Sequence, residues 1–279
     1  MISFIANILR KILSFIRRSI DRVFEYPLRN LPDQVIESPP SRIPKNVFQT
    51  CEKNLFGKSH INELRKFRSL NPMFSFYIYD GIKRDNYMSE NWQHHRIFEI
   101  YSKVKFGVMK TDIFRYCVLY DHGGFYFDIN KSILVPLLNF YDDSSEAVIA
   151  FEGNDNIIEP DSELFELLDF PNKLVVNWGI GFAKGHPLPM QMIDGICDSY
   201  PLYKNRVFDS AKAAILSFCG PGKWCKTVHS YIKNNGTKNF AQAGIDFDKK
   251  AYLYIKGSSV MPENRKHYST FKNSEIFFE

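Results

Sequence analysis

The chain contains no GxSxG, P-loop or GxGxxG element, which removes the commonest hydrolase, kinase and dehydrogenase signatures. Its five cysteines, Cys51, Cys117, Cys197, Cys219 and Cys225, form neither a CxxC pair nor a Cys/His zinc spacing. An odd, scattered set fits a reducing compartment and thiols used as core fillers, Cys117 in an apolar helical run above all. No apolar run approaches the roughly 20 residues of a membrane span, and nothing resembles a small-residue signal cleavage site. Basic charge is also scarce outside one segment. The formal net charge is +5, but residues 1–30 hold six Arg and Lys against Asp21 and Glu25 and so carry most of the excess. The near-neutral remainder argues against a nucleic-acid-binding face, which needs clustered basic residues. There is no internal repeat and no low-complexity tract.

What is present is a chain of 279 residues, 44% hydrophobic and rich in Phe and Tyr, long enough for one substantial α/β core with an appendage. The appendage comes first. Ile2, Ile5, Leu9, Ile12, Ile16, Ile20 and Val23 recur every three or four residues and make one helical stripe, with Arg10, Lys11, Arg17, Arg18 and Arg22 on the other side. Residues 2–26 thus read as a basic amphipathic helix. Three roles compete: lying on an anionic membrane, forming a coiled-coil seam, or packing on its own domain. The charged face is mostly basic and lacks mixed-sign pairs, which favours the membrane surface and a peripheral, cytoplasmic-face protein. The expected division is helix 1–30, a proline-rich linker 31–41 marked by Ser38-Pro39-Pro40-Ser41, and a globular domain 42–279.

In that domain Asn46–Thr50 predicts a first strand, Ser59–Leu70 a helix, and Met73–Tyr79 a second strand, the opening of a parallel sheet. From Lys103 to His122 a proline-free run places Val104, Val108, Phe114, Val118 and Leu119 around Asp112 and Arg115, as in a buried helix. Gly123-Gly124 stops it, and Phe125-Tyr126-Phe127 delivers Asp128, Ile129 and Asn130 at a strand's carboxyl end, where open α/β sheets bind ligands. Ala147–Phe151, one or two strands within 174–183, and helices over Leu188–Tyr200 and Trp224–Lys233 follow, before an irregular tail from Lys256.

Asp128 and Asn130 lie two apart and present oxygen ligands suited to Mg²⁺ or Mn²⁺ holding a diphosphate, although Asp and Asn also simply terminate strands. Asp112 and Arg115 are neighbours on one helix face, and a buried charge there needs a partner or a ligand. The whole pattern KTDIFRYCVLYDHGGFYFDIN resembles the sugar-binding region of glycosyltransferases that carry a DXD motif, of the family 32 type that includes mannosyltransferases and capsular polysaccharide enzymes. Ile43-Pro44-Lys45, Phe48-Gln49, Asn177, Gly185-His186-Pro187 and Gly220-Pro221 extend the likeness over most of residues 42–235.

The resemblance implies a GT-A type fold with a mixed, mainly parallel sheet, a nucleotide-sugar donor (UDP- or GDP-linked), a divalent cation, and transfer with retention to a glycan or lipid-linked acceptor in surface polysaccharide synthesis. It assigns Asp112 and Arg115 to the donor sugar, and Asp128 to ribose and metal. Phe48 and Gln49 fall beside the nucleotide, with Phe48 a stacking candidate; Arg115 and the metal would stabilise the leaving nucleoside diphosphate. Asn130 departs from the pattern, since the family has a second Asp there; the amide lacks the full charge that holds a divalent ion. His267 and Glu263 are candidates to compensate, Glu152 and Asp155 for a nucleophile, and Trp178 for the acceptor cleft. If Asn130 abolishes turnover, the protein is instead a non-catalytic binder of nucleotide sugars.

Overall fold

The computed structural model describes residues 24–154, 162–258 and 267–278. Nearly all of the amphipathic segment 2–26, together with Asp155 and Glu263, lies outside the described residues. The elements run β1 (Asn46–Thr50), a helix Lys58–Ser69, β2 (Ser75–Tyr79), helices Gly81–Trp92, Arg96–Lys103 and Gly107–His122, β3 (Gly124–Phe127), β4 (Ser132–Ile133) and β5 (Ala147–Phe151). Then come β6 (Gly179–Phe182), helices Pro187–Tyr203, Ala211–Phe218 and Pro221–Asn235, β7 (Phe240–Ile245) and β8 (Ala251–Tyr252).

Six strands form one sheet in the order β2-β1-β3-β6-β5-β7, and β4 pairs with β8 in a small second sheet. Only β6 runs against its neighbours, so β1, β2, β3, β5 and β7 end on the same edge. This is the α/β class with a mixed, mainly parallel sheet that the sequence predicts. Glycines make β6 fit: a Cβ at Gly179 would stand 2.7 Å from the Phe127 ring, and one at Gly181 2.5 Å from the Phe125 ring.

Helix Gly107–His122 is the central element of one face. Met109, Asp112 to Leu119 and nothing less than its whole middle are buried, which explains why its apolar residues do not form a single stripe. It ends at Gly123, with φ +62°, followed by Gly124 at φ +97°. A Cβ at Gly124 would lie 2.6 Å from the Asn46 carbonyl oxygen, so the turn into β3 needs glycine for room as well as for backbone angle.

Several expectations are corrected. The helix expected from Lys103 begins only at Gly107, because Val104 adopts extended angles and bridges to Phe277 of the tail. Helices Gly81–Trp92 and Ala211–Phe218 and strand β7 have weak local patterns and come in addition. The stretch read as a linker is irregular, but Gln34 exchanges backbone hydrogen bonds with Phe76 of β2, and the Asp33 carboxylate accepts from the Ile78 amide at 2.7 Å. The tail from 267 is likewise tied in, with Ile276 and Phe277 buried.

His186 shows how the fold uses a polar residue at a helix start. Its Nδ1 accepts from the Leu188 amide at 3.2 Å, and its ring packs on Phe182 and Phe240. Burial lowers its pKa from 6.5 to about 4, with Glu146 pulling weakly the other way. The folded pKa lies below the unfolded one, so the unfolded chain binds the proton more readily. The stability this neutral ring contributes is full above about pH 6.5 and is lost as pH falls toward 4, up to about 3 kcal/mol. Urea midpoints followed over that range should therefore drop more steeply for the wild type than for His186→Asn, which keeps a cap acceptor but does not titrate. Parallel curves would contradict the assignment.

Candidate functional site

The middle of the carboxyl edge is organised by Arg115. Its side chain is 3% exposed, yet it is charged at any accessible pH, so it must be paired. Its Nη2 contacts Asp112 Oδ1 at 2.9 Å, one helical turn back. The same Nη2 donates to Asp128 Oδ1 at 3.2 Å, at the end of β3, and Nη1 donates to the Asn177 carbonyl at 2.7 Å, just before β6. The guanidinium also lies over the Tyr126 ring, 4.7 Å from its centroid, and the Tyr126 hydroxyl donates to Asp128 Oδ1 at 3.0 Å. One cation thus joins a helix and two strands. Its Nε is buried without a partner.

The electrostatics follow from burial. Burial raises the Asp112 pKa from 3.8 to about 7, with Arg115 opposing and Asp128 adding to the rise. Burial works against the charge of Arg115, but Asp112 and Asp128 outweigh it and hold its pKa above the usual arginine value. Cys219 approaches the far oxygen of Asp112, Sγ to Oδ2 3.8 Å, and burial pushes this thiol up. Two carboxylates share one guanidinium, so the cluster retains a negative charge facing the edge when both are ionised. Asp128, with its side chain 30% exposed, is the member that meets solvent.

Asp128 begins a tight turn in which its carbonyl accepts from Lys131 N at 2.9 Å. Asn130 lies inside this turn; its carbonyl accepts from Ile255 N at 3.0 Å, while its side-chain Oδ1 is buried with no hydrogen-bond partner. Lys131 donates to the Leu253 carbonyl and stands over the rings of Trp178, at 5.6 Å, and Tyr254, at 4.3 Å. Burial lowers the Lys131 pKa against the pull of Asp128, Glu152 and Asp246. Glu152, ending β5, is pushed up by burial, opposed by a hydrogen bond from Asn154.

The expected residues are therefore distributed unevenly. Asp112, Arg115 and Asp128 are brought together, with Asn130 on the same turn as Asp128. Phe48 and Gln49 are on the neighbouring strand but buried, and the Phe48 ring is stacked on Tyr77 at 5.4 Å and 17°. Its face is turned into the core. His267 caps the short turn Tyr268–Thr270, its Nδ1 against Ser269 at 2.7 Å. Its neighbour Tyr268 is the tail residue near the cluster: burial, then Asp112, Asp128 and Cys219, raise the pKa of its phenol. Tyr126, Cys219 and Tyr268 complete the site and were missed. Only Tyr126 carried a local signal, since residues two apart on a strand share a face with Asp128.

Beside this cluster, at the ends of β1 and β2, lies a cleft of about 690 Å³ lined among others by Glu52, Asp80, Arg84, Asp85, Lys105 and Lys110. Arg84 Nη2 contacts Glu52 at 3.0 Å, and Lys110 Nζ contacts Asp85 at 2.8 Å, so the cleft wall is a set of paired charges.

Residues 57–148, which include all of Asp112, Arg115, Asp128 and Asn130, match the family described as "Glycosyltransferase sugar-binding region containing DXD motif". Over this third of its length the chain is similar to the sugar-binding region of DXD-type glycosyltransferases. The initiation-specific alpha-1,6-mannosyltransferases of Schizosaccharomyces pombe and Candida albicans are each 25% identical, over 198 and 208 residues respectively, and each alignment covers 68% of this chain. It spans about half the length of these relatives, 49% and 54%. A shorter match, 25% over 105 residues, is to a mannosyl phosphorylinositol ceramide synthase of Saccharomyces cerevisiae, with 37% of this chain and 27% of that protein covered. Among solved structures, a PaToxG glycosyltransferase aligns at 18% identity and a TM-score of 0.45, covering 70% of this chain and 72% of that one.

A divalent cation is the group implied by this family, and the residues present fit one in part. Asp128 and the unpartnered Asn130 oxygen offer two hard ligands on one turn next to excess negative charge. Among the described residues, no three His, Cys, Asp or Glu side chains gather at metal-binding distances. A cation held there would need further ligands from a bound substrate. Asn130→Asp should tighten Mn²⁺ binding, measured by titration calorimetry in the presence of a nucleoside diphosphate, by about tenfold, a change of 1.4 kcal/mol. An unchanged affinity would remove Asn130 from the metal site.

Proposed function

We propose that the protein is a retaining glycosyltransferase that moves a hexose from a nucleotide-sugar donor to a glycan or lipid-linked acceptor. The observation that supports this most is the double engagement of Arg115 with Asp112 and Asp128 inside the region 57–148. Names of the relatives favour a mannosyl-type sugar, carried on GDP or UDP. The nucleoside would occupy the cleft at the ends of β1 and β2, the position where open α/β sheets hold ligands. Its ribose and diphosphate would then reach Asp128 and Asn130, and the sugar would lie over the Asp112–Arg115–Asp128 cluster.

In this reading Arg115 acts by electrostatics. Its charge is fixed in place by three partners before any substrate arrives, so it needs no rearrangement to stabilise negative charge growing on the departing diphosphate. Asp112 holds Arg115 against Asp128 from the buried side of the cluster. Asp128 accepts from ribose or sugar hydroxyls while Tyr126 and Arg115 fix its orientation. A Mn²⁺ or Mg²⁺ ion bound by Asp128 and Asn130 would supply charge neutralisation for the diphosphate. Departure of the nucleoside diphosphate leaves an oxocarbenium-like sugar, open to an acceptor hydroxyl on the same face. The acceptor would lie toward Glu152 and Trp178, and a surface polysaccharide intermediate made on the cytoplasmic side of a membrane fits the basic segment 2–26. No helix among the described residues is long and apolar enough to cross a membrane.

Asn130 also favours a second reading, a binder of nucleotide sugars without turnover. Incubation with a panel of GDP- and UDP-hexoses and Mn²⁺ separates them. Release of nucleoside diphosphate that disappears in Asp128→Ala is expected for the transferase. Calorimetric binding with no release from any donor would support the binder, and wild-type turnover in Asp128→Ala would remove Asp128 from the chemistry.

A further inference from the structure

The region matched at 57–148 is described by a DXD motif, an Asp-x-Asp pair, and this chain reads Asp128-Ile129-Asn130-Lys131. An amide stands where the second carboxylate belongs, and an ammonium comes directly after it. An Asp-x-Asp pair with a divalent cation bound is formally neutral, two charges against two. Asp128, Asn130 and Lys131 reach the same balance without an ion, one charge against one.

The structure holds this ammonium at the site. Lys131 closes the turn that Asp128 begins, its N donating to the Asp128 carbonyl at 2.9 Å. Directly after it Ser132 pairs with Tyr252 of β8, so the lysine backbone is fixed on both sides. The side chain is half-buried. Its Nζ donates to the Leu253 carbonyl at 2.5 Å and lies within cation–π distance of both Trp178 and Tyr254. Trp178 is itself joined to the same turn, since its carbonyl accepts from Asp128 N at 2.8 Å.

The charges around Lys131 are close without being paired to it. Burial works against its charge, while Asp128, Glu152 and Asp246 favour it, so the ammonium and the Asp128 carboxylate act on one another. A lysine that only balanced these acids would sit on one of them. Among the described residues its hydrogen-bond acceptor is instead a carbonyl, and no carboxylate is within ion-pair distance. An ammonium carries three N–H donors, so donors are left for a ligand. Next to it, the Asn130 Oδ1 is buried with no partner of its own.

We propose that Lys131 is a diphosphate-binding residue: its ammonium contacts phosphate oxygens of the nucleotide sugar and supplies charge that an Asp-x-Asp site draws from its metal. This rests on the transferase reading, which brings the diphosphate to the turn of Asp128 and Asn130. Donor binding then depends little on a divalent ion, and an ion that does bind adds to charge already in place. Because the ammonium is positioned beforehand, it meets the negative charge growing on the departing nucleoside diphosphate without rearrangement.

Calorimetric titration of the full chain with GDP and with UDP, in Mn²⁺ and again in EDTA, tests this without turnover. The wild type should bind at least one of them in EDTA within about tenfold of its affinity in Mn²⁺. Lys131→Met keeps the apolar stem and removes the charge. It should lose about thirtyfold in EDTA, the range of a hydrogen bond to a charged group, while keeping the wild-type circular dichroism spectrum and melting midpoint. A wild type whose affinity falls by more than about tenfold in EDTA would overturn the proposal, and that arm needs no variant. Wild-type affinity of folded Lys131→Met in EDTA would overturn it as well. Absence of binding of both nucleotides, with and without Mn²⁺, is a separate failure: it removes the transferase reading and the proposal with it.

Discussion

A buried guanidinium cannot stay in a protein interior without partners, and in this chain that requirement falls on Arg115. It is met by a carboxylate one turn back on its own helix, a carboxylate at the end of β3, and a backbone carbonyl before β6. Two of those groups lie outside the helix, so satisfying one charge fixes how the central helix sits on two strands of opposite direction. The glycines at 123 and 124 and the glycines of β6 serve the same arrangement, by letting the chain turn under the helix and letting Phe125 and Phe127 lie flat against their neighbour. Removal of one partner would leave charge buried, which costs more than the pair contributes as a whole.

The edge built in this way has a division of labour. The paired charges of Glu52, Arg84, Asp85 and Lys110 wall a cleft at one end, and the Arg115 cluster occupies the middle. Lys131, Glu152 and Asp246 lie beyond it, coupled through their charges. The tail brings Tyr268 toward Asp112 and Asp128, and Glu25 caps the helix Lys58–Ser69.

Much of this could be read from the sequence, for identifiable reasons. Strands β1 and β5, the glycine stop at 123–124 and the spacing of Asp112 from Arg115 are local features, and the structure places them as expected. The long-range parts were out of reach. Phe48 was expected to face a nucleotide, but which face of β1 looks into the core depends on the helix Gly107–His122 packed across it. His267 is the tail residue whose type suits a metal, whereas which tail residue comes near Asp112 is decided by how the tail rests on helix Ala211–Phe218. The break at Val104 depends on its bridge to Phe277, far along the chain. Strand β7 and the second partner for each buried charge were invisible for the same reason: their stabilisation comes from tertiary contacts and not from local propensity.

The most direct measurement is a double-mutant cycle on the affinity for nucleoside diphosphate with Mn²⁺, using Arg115→Gln, Asp128→Asn and the two combined. If Arg115 works by holding Asp128 in place at the ligand, the two losses will fail to add by about 1 kcal/mol or more. Losses that add to within about 0.3 kcal/mol would show two independent contacts and contradict the view that this guanidinium organises the site.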